Sequence, residues 1–523
     1  MRFPNINELK DSFRLVILLQ IWKRKFSKIK KKIPTNQILK KSILITTNIG
    51  GNLNTLALDV LLGLALRSRG HKVIFSICDG ILPGCMNCEI NKYRDIEEFL
   101  EFKSNKLCGK CFSTGEKIMK MHSLDFIKLS DYTTLEPGKL MRKSSGFEGA
   151  IRFLAISEPN QSKHFPEIKK IFDHSSAIAQ DSLRNLIQAN NIDLILAHHG
   201  IYVPQGDAVK VAKELKVEIV TWNQAYRKNC FIFSRGDTYH KTLLNDPDCI
   251  WSKTDSEINE VISYLESRDL GNNDWINYSL TNKDSDAGEH ALPFPEKKSV
   301  LLLTNVGWDA QLHYSGNCFI NMNEWIIQTI DWFCKNPNLN LVVRIHPAEV
   351  TGRIKSQDRV IDLITKRFPS LPENIVIVEP SDRISTYRLM DKCDLALIYG
   401  TKTGVELAAK GKTVITAGDA WIKNKGISLD PKSTDEYFNL LEKFEKSELN
   451  FILDQRKALS YAHYFFYNKM IPIKSVTALP KYPYILPNLE PGWEDFDPGL
   501  LQIVQSLEEN TPLFYRFPYS QEF

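Results

Sequence analysis

Short apolar, β-branched runs alternate with helix-period segments along most of this 523-residue chain, and few folds accept that alternation. "SILITTN" (42–48) reads as a strand, "TLALDVLLGLALRSRGH" (55–71) as a helix ending at Gly70, and "KVIFSIC" (72–78) as the next strand. "IDLILAHHG" (192–200) and "VEIVTWNQ" (217–224) continue the set, with the helix-like "GDAVKVAKELK" between them. A second set follows in "SVLLLTNVGWD" (299–309), "NLVVRIHP" (340–347), "NIVIVEP" (374–380), "DLALIYG" (394–400) and "TVITAG" (413–418), again with helical patterns between. Strands this apolar are buried on both faces, which requires parallel sheets covered by helices. The expectation is an α/β chain of two Rossmann-like, doubly wound domains, at 41–285 and 296–460, joined by the polar, proline-bearing stretch 282–299. "SYAHYFFYNKMIPI" (460–473) is expected to cross back as core onto the first domain, so that 461–523 forms a crossover and tail.

Composition narrows the class. At 43% apolar and 25% charged residues the chain is ordinary for a globular protein, and its length exceeds a single core. The longest apolar run near the start, "LVILLQIW" (15–22), is too short to span a bilayer and has no small-residue cleavage site behind it. A cytoplasmic location with reduced thiols follows as the expectation. The net charge of +5 is uneven: residues 1–41 hold twelve lysines and arginines against Glu8 and Asp11, leaving the remainder net negative. As a helix, 13–33 would gather Leu15, Leu18, Leu19, Trp22, Phe26, Ile29 and Ile33 on one stripe bordered by lysines. Such a basic amphipathic arm, residues 1–40, suits the plane of an anionic membrane and predicts peripheral contact with the inner face of the plasma membrane. The alternative is a helix docked on its own protein. No other segment is basic enough to extend a nucleic-acid surface.

Five of the ten cysteines fall between residues 78 and 111. Cys85 and Cys88, then Cys108 and Cys111, form two C-x2-C pairs nineteen residues apart, the spacing of facing zinc knuckles. Four thiolates leave no open position on a tetrahedral ion. The expectation is therefore a structural Zn2+ that staples an insertion at about 78–120, with Cys78 assigned to the strand end. Unrelated reduced thiols, or a redox or iron–sulfur site, are the alternatives.

Ligands of open α/β sheets bind outside the carboxyl ends of the strands, here in the cleft between two domains. In "RIHPAE" His346 stands where a strand stops at Pro347, a position from which an imidazole can donate to a phosphate. "YGTKTGVELAAKG" supplies Thr401, Thr403 and Gly404 in a hydroxyl- and glycine-rich loop, with Glu406 one turn on as a candidate for ribose hydroxyls. Capping and a favourable first-turn acid explain Thr403 and Glu406 equally when taken alone. In the first domain, Gly50, Gly51 and Asn52 form the loop after the first strand, and Asp79 follows the second.

"TNVGWDA", "RIHPAE", "ISTYRLM", "YGTKTGVELAAKGKTVITAG", "HHGIYVPQGDAVKVAKEL" and "YRKNCFIFSRGDTYHKTL" together resemble the bacterial capsule polysaccharide biosynthesis family, whose members resemble GT-B glycosyltransferases. The resemblance covers most of residues 42–470. It implies a nucleotide-sugar donor held by the second domain and a growing or lipid-linked glycan acceptor presented by the first. It also implies donor contacts from His346, Pro347, Thr401, Thr403, Gly404, Glu406, Ser385 and Thr386. The His-Pro pair recurs in related transferases that use CMP-activated acidic sugars, where the histidine meets the donor phosphate. A general base is then expected from a strand end in the first half, which His198 and His199 satisfy. Gly50, Gly51, Asn52, Asp79, Asp237 and His240 are the acceptor-side candidates. A polyol-phosphate transferase, a nucleotide-sugar epimerase of the same fold, and a non-catalytic membrane-docked scaffold are the competing readings.

Overall fold

The computed structural model describes residue 20 and residues 40–134, 143–246, 252–269, 273–275, 297–314, 316–478 and 485–516. The expected basic arm apart from residues 20 and 40, and most of the 282–299 stretch, lie outside these residues.

The first lobe is built on a mostly parallel sheet. Strands β1 (Ser42–Asn48), β2 (Lys72–Ile77), β3 (Phe126–Lys128), β4 (Leu194–His198) and β5 (Glu218–Gln224) run parallel in the order 3-2-1-4-5. Strand β6 (Cys230–Arg235) adds to β5 antiparallel. The second lobe repeats the winding with β7 (Ser299–Leu303), β8 (Asn340–Arg344), β9 (Ile375–Val378), β10 (Leu395–Ile398) and β11 (Thr413–Thr416), all parallel and ordered 9-8-7-10-11. Ile43, Leu44, Ile45, Leu301, Leu302, Ala396 and Leu397 are almost wholly shielded from solvent, which is why their strands read as unbroken apolar runs.

In each sheet the chain leaves the central strand first one way and then the other. The switch point lies between β1 and β4 in the first lobe and between β7 and β10 in the second, so the loops after these four strands open on a common crevice. Helix Gln455–His463 and the buried aromatics Tyr464, Phe465, Phe466 and Tyr467 lead the chain back, and β12 (Ile471–Pro472) pairs with β6 of the first sheet. Helix Pro498–Glu509, capped by the Asp497 carboxylate, then packs near helix Leu53–Ser68, where Glu508 pairs with Arg69 at 2.7 Å.

Polar contacts also join the lobes. The Ser157 N–H donates to Asp358 at 2.7 Å, Asn323 Nδ2 donates to Ser157 Oγ at 2.7 Å, and the Gln357 N–H donates to the Ala155 carbonyl at 2.9 Å. No helix of the described residues is long and apolar enough to cross a membrane.

Candidate functional site

The two switch points face one another across a cleft of about 1160 Å3. Seven lysines and arginines line it against four aspartates and glutamates, so its field favours an anionic ligand.

On the second lobe, β8 delivers His346 and Pro347 to the cleft wall. The His346 N–H donates to Thr304 Oγ1 at 3.0 Å, and Nδ1 accepts the N–H of Ala348 at 3.1 Å. An imidazole that accepts at Nδ1 carries its proton at Nε2. Burial, followed by the charges of Lys402 and Arg344, lowers its pKa to about 4, so the ring is neutral at physiological pH. Thr401 and Thr403 line the cleft after β10, and Thr401 Oγ1 accepts the Thr403 N–H at 3.3 Å. Ser385 and Thr386 line it as well, with Ser385 Oγ capping helix Thr386–Lys392 and Thr386 Oγ1 accepting from Arg344 Nε at 3.4 Å.

Two expected donor contacts have other tasks. A Cβ on Gly404 would stand 2.5 Å from the Ile398 side chain and 3.0 Å from that of Ile422, so this glycine lets its helix seat on the sheet. Glu406 is 1% exposed and off the cleft wall, paired with Lys402 Nζ at 2.8 Å and Arg268 Nε at 3.4 Å. Burial alone would raise its carboxyl, but Arg268 and Lys402 overcome that and hold it at about 2. It therefore anchors two cations that do line the cleft, rather than offering a carboxylate to ribose.

On the first lobe, His198 and His199 line the cleft at the end of β4, and His199 takes the left-handed conformation at φ 65°. His198 packs on Trp222 at 4.7 Å between ring centres and His199 on Tyr202 at 5.1 Å. They stand at the strand end where a general base is expected, but burial leaves them little basicity. Burial, and then Arg152, lowers His198 to about 3, and burial with the neighbouring His198, His240 and Arg152 lowers His199 well below its ordinary value.

Gly51 and Asn52 reach the cleft, and Asn52 caps helix Leu53–Ser68. Gly50 does not serve a ligand: a Cβ there would lie 2.8 Å from Gly115 Cα and from the Cys111 carbonyl, so the close approach it permits is to helix Asn105–His122. Asp79 and Asp237 also fall outside the cleft lining. Asp79 accepts from Ser130, and Asp237 pairs with Lys213 and Lys241. His240 stands behind His199, its ring tilted against that of Tyr239 at 4.1 Å between centres.

Several cleft residues escape sequence reasoning. Asp309, in the loop after β7, lines the cleft opposite Tyr202, whose hydroxyl accepts the Ala310 N–H at 3.4 Å. Burial raises its carboxyl to about 6 against the pull of Arg152. Glu89 is buried among Arg152 at 2.8 Å, Arg353 at 3.2 Å and Lys92 at 3.9 Å, so the cysteine-rich insertion reaches the second lobe through this carboxylate and through Asn91 Nδ2, which donates to the Arg353 carbonyl at 2.9 Å. "NVGWDA" was a signal for Asp309, being a strand-end loop; nothing local distinguishes Glu89 from a surface acid.

Cys85, Cys88, Cys108 and Cys111 do converge, and Cys78, read from sequence as a separate strand end, joins them around one small cavity of about 20 Å3. As placed, no group of three or more His, Cys, Asp or Glu among the described residues is set to hold a single metal ion.

Residues 273–468, containing the whole second sheet, match the family model described as capsule polysaccharide biosynthesis protein. No curated protein matches the chain. Among solved structures, a Thermosulfurimonas dismutans KpsC β-Kdo 2,4 transferase is similar over 54% of this chain and 81% of its own, at 14% identity and a TM-score of 0.37. A Neisseria meningitidis UDP-GlcNAc 2-epimerase is similar over 81% of this chain and 97% of its own, at 12% identity and a TM-score of 0.29.

Proposed function

We propose, from the premise that residues 273–468 are those of a capsule polysaccharide biosynthesis protein, that the chain is a GT-B-type glycosyltransferase. It moves a sugar from a nucleotide-activated donor to a glycan of the cell-surface, capsule type. The observation that carries this reading is the neutral His346 with its proton at Nε2, set in one cationic cleft with Thr401, Thr403 and Lys402 and facing the first lobe.

In this reading the donor diphosphate or monophosphate lies against the second lobe. The His346 Nε2–H, the threonine hydroxyls, and the Lys402 and Arg344 cations stabilise the negative charge that grows on the leaving phosphate oxygen. The acceptor hydroxyl oxygen bonds to the anomeric carbon as the bond from that carbon to the phosphate oxygen breaks. Its proton passes to Asp309. A carboxyl near 6 is ionised at neutral pH yet still basic enough to accept, whereas His198 at about 3 is a poor acceptor. His198 and His199 then contact the acceptor instead. Membrane contact through residues 1–40 belongs to the same proposal and rests on their charge pattern alone.

The test is a thermal-shift screen of the full chain against UDP-, GDP-, CMP- and dTDP-sugars, followed by turnover of the stabilising donor with and without glycan acceptor. A ligand at ~100 times its Kd stabilises by about 2.7 kcal/mol, a readily measured shift. No stabilising nucleotide would leave the scaffold reading, and donor consumption without acceptor would favour the epimerase.

A further inference from the structure

Three stretches of chain bring five thiols to one place. Cys78 follows β2, Cys85 and Cys88 lie in the loop beyond it, and Cys108 and Cys111 occupy successive turns of helix Asn105–His122. Buried cysteines often act only as small apolar side chains, scattered through a core. Here all five face the same cavity, which Ile49, Leu82 and Leu107 help to close. Donors are also aimed at the sulfurs. The Gly51 N–H reaches Cys111 Sγ at 3.1 Å, the Gly80 N–H reaches Cys78 Sγ at 3.4 Å, and the Tyr93 hydroxyl reaches Cys88 Sγ at 3.6 Å. A neutral thiol is a weak acceptor, whereas N–H and O–H groups turned toward sulfur are the outer shell that metal-bound thiolates require.

We propose that this cavity is a thiolate-ligated metal centre, with Cys85, Cys88, Cys108 and Cys111 as ligands and Cys78 as a fifth thiol within its wall. The sulfurs ring the cavity without converging as a single-ion set. Four thiolates around one cavity can hold a single tetrahedral zinc or an iron–sulfur cluster, and the metal content separates the two. The role is structural and does not depend on the transferase reading. The centre ties the insertion to the loop after β1 through Gly51 and Cys111, and so holds Glu89, the residue after Cys88, between Arg152 and Arg353 at the cleft.

The experiment is metal and acid-labile sulfide analysis of the full chain purified without oxygen, with X-ray absorption at the edge of the metal found. On the order of four irons and four sulfides per chain, with a visible absorption band bleached by dithionite, supports the cluster. One zinc per chain in an all-sulfur shell supports a single ion on the same ligands. Either metal is expected to fall at least tenfold in a Cys108→Ser, Cys111→Ser double variant. Should that variant not fold, the ligand shell measured on the unaltered chain decides. A metal-free chain whose five thiols all alkylate under native conditions, or a metal bound through nitrogen and oxygen only, overturns the proposal.

Discussion

Replacing Glu406 by glutamine separates two accounts of one residue. If the carboxylate held a ribose, E406Q would weaken donor binding and leave stability alone. The structure instead sets it between Lys402 at 2.8 Å and Arg268 at 3.4 Å, with its carboxyl held at about 2 against an ordinary 4.5. That depression corresponds to about 3 kcal/mol at neutral pH, at ~1.4 kcal/mol per unit. Breaking one partner of a buried pair costs ~3–5 kcal/mol, and Arg268 keeps Asp274 at 2.8 Å, which favours the lower figure. The sign follows from the lowered folded value: the stabilisation is complete above 4.5, shrinks as pH falls below it and is lost as pH passes about 2. Urea unfolding of wild type and E406Q should therefore differ by about 3 kcal/mol at neutral pH, and the gap should narrow in acid. A variant within about 0.5 kcal/mol of wild type at neutral pH, with donor affinity reduced tenfold or more, would falsify the anchoring role.

Asp309→Asn is expected to lower turnover at least ~10²-fold while making the fold more stable at neutral pH. Burial raises this carboxyl above its ordinary 3.8, so the folded state prefers the protonated form, and that preference is lost as pH rises through about 6. The asparagine relieves a cost of about 3 kcal/mol above that pH, and equal stability of the two proteins would count against it. His346→Ala should cut turnover ~10²-fold with the fold intact, as expected for loss of one donor to a developing charge. Because His346 titrates at about 4, its contribution should not vary with pH near neutrality, and a His346-dependent step in the rate between about pH 6 and 7 would contradict its neutral state.

Which letters revealed the molecule, and which did not, follows from the range of the forces involved. Apolar runs of strand length alternating with helical spacing were enough to foresee two sheets, because parallel strands must be apolar along their whole length. They also located the strand ends, so His346, Thr401, Thr403, His198 and His199 were legible as residues of the cleft. The work of Gly50, Gly404, Asp79, Asp237 and Glu406 was not legible, because each answers to a partner distant in sequence or on another element: Gly115, Ile422, Ser130, Lys213 and Arg268. The same holds for Asp309 and Glu89, ordinary acids until burial and neighbouring arginines change what their protons do. Chain order decides which segments become strands and what stands at their ends; only packing decides the dielectric around a side chain and the charge it meets, and those two quantities assign its chemistry.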